Sequence, residues 1–84
     1  MTVREKLENM LVNNGMFESQ AKKVIELSIP KLNELTDDHK IIFESPSKDY
    51  PDVIYNIWYM TIKPIALKWI DDNIPMAWYR EMFV

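Results

Sequence analysis

The sequence has no cysteine, one glycine and one histidine in 84 residues. Without cysteine, no disulfide can supplement the core and no thiolate can hold a metal, a pattern that fits a reducing cytoplasm. One glycine supplies neither the tight turns of an all-β fold nor a phosphate-cradling loop, so the chain points toward helices and away from nucleotide chemistry. One histidine leaves Ser19, Ser28, Ser45 and Ser47 only His39 as a base, and no nucleophile–base set emerges. A basic block is also missing. Residues 1–42 carry six Lys/Arg against seven Asp/Glu, residues 43–84 carry four against six, and the net charge is −3. Nothing there neutralises a run of phosphates, so nucleic acid is not an expected partner. The most apolar window, 53–70, contains Asn56, Lys63 and Lys68, and charge at membrane depth is costly. The opening MTVREKLENM has no apolar stretch of the kind that drives secretion. The expectation is one cytoplasmic helical domain over residues 1–84, with no membrane span, cofactor, metal or small-molecule substrate.

The helical letters are specific. Thr2-Val3-Arg4-Glu5 fits a capping box, in which the threonine hydroxyl and the glutamate carboxylate each satisfy a backbone N–H of the other. Val3, Leu7, Met10 and Leu11 then follow on one stripe, and Asn13-Asn14-Gly15 ends the helix where a missing Cβ matters most. A second helix starts near Phe17 or Glu18, with Phe17, Ala21, Val24, Ile25, Ser28, Leu32 and Leu35 on one face. Pro30 interrupts it, but the stripe continues, which predicts one kinked helix. Residues 36–50 are irregular, and Ile41-Ile42-Phe43 have the residue types of a short extended piece. Pro51 and Asp52 open a third helix at positions suited to proline and to negative charge. Its apolar positions, from Ile54 through Ile57, Trp58, Ile62 and Ile65 to Trp69 and Ile70, are widened by Val53, Tyr55, Tyr59 and Ala66 beyond an ordinary stripe. This marks it as the central element, kinked at Pro64. Asn73 and Pro75 end it, and Met76 to Met82 suit a short final helix. The fold class is therefore mainly α: a compact three-helix domain with a short C-terminal helix and at most one short strand in the 36–50 loop.

Chemistry-bearing clusters are sparse. Asp37-Asp38-His39 groups two carboxylates with the only imidazole, but three consecutive residues do not converge on one ion, and a solvated loop accounts for them. Asp71 and Asp72 point about 100° apart on a helix and share no site. Glu44, Asp49 and Asp52 around Lys48 make a solvated loop or a mildly acidic patch.

Nine of the ten aromatic residues lie from Phe43 onward. The ending IPMAWYREMFV either closes the core, with Trp78 against Met82 and Tyr79 against Phe83 at helical spacing, or presents an interface. Trp, Tyr, Met and Arg are the types enriched at interfaces, so Trp78, Tyr79, Arg80, Met82 and Phe83 form the candidate protein-interaction surface.

Leu11 to Ala21, LVNNGMFESQA, resembles the first loop of ubiquitin-associated domains. The order here is Gly-Met-Phe, and a plain helix–Gly–helix joint accounts for the same letters. Over most of the chain, NNGMFESQAKKVIELSIP, YPDVIYNIWYMTIK and WIDDNIPMAWYREMF resemble small uncharacterised proteins encoded in tailed-phage and prophage genomes. That resemblance implies a bacterial or phage-infected cytoplasm and assigns no functional residues. The expected function is a non-enzymatic protein–protein interaction module, with a homo-oligomeric structural or assembly protein as the alternative.

Overall fold

Thr2 starts α1 (Val3–Asn13) as its letters require. The Glu5 amide donates to Thr2 Oγ1 at 3.2 Å and the Thr2 amide donates to Glu5 Oε1 at 3.1 Å, completing the capping box. The computed structural model describes residues 1–35 and 38–74, with the backbone alone for 33–35 and 38–40. α1 ends in a Schellman motif. The Met16 amide donates to the Leu11 carbonyl and the Gly15 amide to that of Val12, with Gly15 at φ 113°. Met16 and Leu11 are both buried, which is the apolar contact that accompanies this motif.

α2 (Glu18–Leu35) follows at once and runs through Pro30 without a break. Phe17 stands just before it, its amide held by the Gln20 side chain at 3.1 Å. Phe17 therefore precedes the first turn and is not in phase with the stripe it was expected to lead. It is 72% exposed, and Met16 takes the core position instead. Ser28, fully buried, donates its hydroxyl to the Ile25 carbonyl at 2.7 Å. Among the described residues no buried side-chain polar atom lacks a partner.

The expected extended piece at Ile41-Ile42-Phe43 is instead the end of a helix, α3 (Asp38–Phe43). Residues two apart on a strand share a face, yet here Phe43 is buried while Ile41 is 69% exposed. The core takes the adjacent pair Ile42 and Phe43, which a helix presents together and a strand does not. A single 3-10 turn, Ser47–Asp49, leads on to α4 (Pro51–Ile57). Around this turn Val3 donates to Ser45 and Ser47 donates to Met1, both at 2.9 Å, pairing the chain's first residues with residues 45–47 through backbone alone.

α4 passes into a π-helical turn (Trp58–Ile62) and then α5 (Lys63–Asn73), so residues 51–73 form one continuous helical rod. Asn73 ends it and donates its side-chain amide to the Trp69 carbonyl at 2.9 Å. The π turn has two causes. In an unbroken α-helix residues advance about 100° each, so the buried Ile54, Trp58, Ile62, Ala66 and Ile70, four apart, would sweep about 160° around the rod. The extra residue in the π turn takes back about 100° of that drift and keeps the series on one side. Pro64 is the second cause. It has no N–H for the Met60 carbonyl and its ring crowds that carbonyl in a regular α turn, while the Lys63 amide reaches one residue further, to Trp58.

The core draws on every helix: Val3, Leu7 and Leu11 of α1, Val24 and Ile25 of α2, Phe43 of α3, and the inner side of the rod. α1 packs against α2, and so do the π turn and α5. Removing a fully buried leucine or isoleucine such as Leu7 or Ile62 is worth about 2–5 kcal/mol. The ion pairs Arg4–Glu8, Arg4–Glu44 and Lys22–Glu18, at 3.5 to 3.7 Å, add at most about 1 kcal/mol each. Apolar packing decides the fold. No described helix is long and apolar enough to cross a membrane.

Candidate interaction surface

The outer side of the 51–73 rod is where the structure leaves large apolar groups open. Met60 is 77%, Tyr59 60% and Tyr55 59% exposed. The reason is local. The π turn commits Trp58, Thr61 and Ile62 to the core, which leaves Tyr59 and Met60 side by side on the opposite side. The expectation that this helix is covered from most directions is corrected accordingly: its inner half is central to the core, while Tyr55, Tyr59 and Met60 face solvent.

Charge frames this patch. Asp52 lies toward one end, and Lys63, Lys68, Asp71 and Asp72 toward the other. Lys63 Nζ sits over the Tyr59 ring, 5.6 Å from its centroid. That cation–π contact holds the ring against the rod and draws the lysine stem over apolar surface. Pro64 and Leu67 complete a shallow groove of about 450 Å³ that Tyr59, Lys63, Lys68, Asp71 and Asp72 also line. An apolar centre within a polar rim is the anatomy of a protein interface.

A second crevice of about 350 Å³ lies between α1, the 3-10 turn and α4, lined by Lys6, Met10, Ser47, Lys48, Pro51, Ile54 and Tyr55. Ser47 and its two lysines form no side-chain hydrogen bond to one another among the described residues, so no activated hydroxyl is assembled there. Among the described residues no three His, Cys, Asp or Glu side chains come together as metal ligands. The Asp37-Asp38-His39 side chains lie outside the described ones, as do all the residues singled out in the tail: Trp78, Tyr79, Arg80, Met82 and Phe83.

Sequence reasoning assigned Tyr55 and Tyr59 to a widened core stripe and did not single out Met60. A signal for them was present. The core positions Ile54, Ile57, Trp58 and Thr61 follow one helical phase and Ile62, Ala66 and Ile70 another, displaced by one residue, with Pro64 just after the change. No known protein family, curated protein or solved structure matches this chain.

Proposed function

We propose that this chain is a non-enzymatic protein-interaction module that binds through the outer side of residues 51–73. The observation that carries this reading is the adjacent exposure of Tyr59 and Met60 at the π turn, with Tyr59 lining a groove shared with Lys63, Lys68, Asp71 and Asp72. Single-chain surfaces seldom keep contiguous large apolar groups open without a use for them, and tyrosine and methionine are among the types that interfaces favour. π-helical turns are also frequent at functional positions. The resemblance of the sequence to small phage and prophage proteins supports an accessory role in the cytoplasm of a bacterial or phage-infected cell.

The test is capture from a bacterial extract by the wild-type chain and by a Tyr59→Glu, Met60→Glu variant of unchanged far-UV circular dichroism. The reading expects proteins retained by the wild type and lost by the variant. Equal retention by both, or none by either from a chain that also fails to self-associate, removes this surface from consideration.

A further inference from the structure

The same side of the rod is complementary to itself. We infer that its partner is a second copy of this chain, docked antiparallel across a two-fold axis at Met60; this inference rests on the interaction reading above and names its partner. The argument is the order of charge along the rod. With the axis at Met60, a residue lies opposite the one equally far on the other side. Asp52 then meets Lys68 of the second copy, each about 12 Å from the axis at a rise of 1.5 Å per residue. Neither enters an ion pair among the described residues, so each is available to the other copy.

The apolar centre fits the same register. Met60 meets its own copy, Tyr59 lies beside it, and Asn56 falls against Pro64. The two-fold repeats every pair, so one match of opposite charges yields two. Asp49 and Asp71 fall opposite one another, the one like-signed match, but Asp49 sits in the 3-10 turn before the rod begins. A single pair of helices buries less than the roughly 1,200 Å² of a standard interface, so the dimer is a weak one that forms at raised concentration.

Sedimentation equilibrium of the intact chain, from about 10 μM to about 1 mM, tests this with three surface variants. The wild type is expected to shift to dimer across that range. Met60→Arg, which places two cations on the axis, abolishes the shift. Lys68→Asp alone, which sets like charges opposite one another twice, weakens association by about tenfold. Adding Asp52→Lys to Lys68→Asp restores it, because both pairs are then reversed together. A wild type that stays monomeric, a dimer indifferent to Met60→Arg, or a double reversal that fails to restore association overturns the inference. A monomer that still captures an extract protein through Tyr59 and Met60 overturns self-pairing alone. A chain that does neither overturns both readings.

Discussion

Deleting one residue from a helix usually destroys a small domain, because everything beyond the deletion turns by about 100° and leaves its seat. In this chain one such deletion is expected to be tolerated. Removing Met60 together with Pro64→Ala lets residues 51–73 close into an uninterrupted α-helix. The π turn holds one residue more than an α turn, and that residue offsets the change of phase between Ile54–Trp58 and Ile62–Ile70. After the deletion the two series fall in phase unaided. Met60 is mostly exposed, so its loss forfeits little burial, and the main cost is the rotation of Thr61 away from its buried position. The double change should alter stability by no more than about 1 kcal/mol, within the range of ordinary single substitutions. Pro64→Ala is part of the design because a proline inside a regular helix costs about 3 kcal/mol. Deletion of Lys68 is the control. It turns Ile70 out of a fully buried seat, which alone costs about 2–5 kcal/mol, a large share of what a domain this size possesses. Urea titration followed by circular dichroism measures both. If the Met60 deletion with Pro64→Ala costs as much as the Lys68 deletion, the phase argument for the π turn is wrong.

Other expectations concern the two ends of α1. Gly15→Ala should destabilise by about 1–3 kcal/mol, the cost of holding an ordinary residue at positive φ. Nothing lies within 4 Å of the added carbon, so the loss is conformational, and thermal melting measures it. Thr2→Ala should cost about 1 kcal/mol as a lost N-cap. It should also raise the Glu5 carboxyl only part of the way toward its ordinary pKa, because the backbone amide of residue 2, the larger cause of the lowered value, stays in place when the hydroxyl is lost. The sign of the pH dependence follows from that lowered value. The contribution of Glu5 is complete above the ordinary carboxylate range and fades as pH falls through its lowered folded value. NMR titration of Glu5 in both proteins checks the shift, and acid melts check its consequence.

The parts of the fold that were legible in sequence were those set by local chemistry. Thr2 and Glu5 announce a cap, Gly15 a left-handed end, and the continuing apolar stripe carries α2 through Pro30. Four residues went differently, three of them because tertiary position decided them. Ile41-Ile42-Phe43 have strand-forming side chains, but the core needed two adjacent ones, and only a helix presents them. Phe17 looked like the head of a stripe and is an N-cap residue that the helix never takes in. The proposed interaction surface was half legible. Tyr55 and Tyr59 were visible as an excess of apolar character, but their outward direction depends on a one-residue change of phase, which ridge counting at a fixed 3.6 period averages away. The tail aromatics Trp78, Tyr79, Met82 and Phe83, with Arg80, lie outside the described residues.

The pairing of residues 1–3 with residues 45–47 has a consequence for how the domain opens and assembles. These backbone bonds, with Arg4 reaching Glu44, make a clasp that closes more than half the chain into a ring. Closing a ring of that length carries an entropy cost that rises only slowly with its size, but it has to be met before α1 is held at its outer end. α1 and α2 can meet through the Gly15 joint as soon as both exist during synthesis, whereas the clasp waits for Ser47 to emerge. The Val3 and Ser47 amides therefore report on one event, the release of the ring, and the start of the chain and the middle loop come loose as a unit.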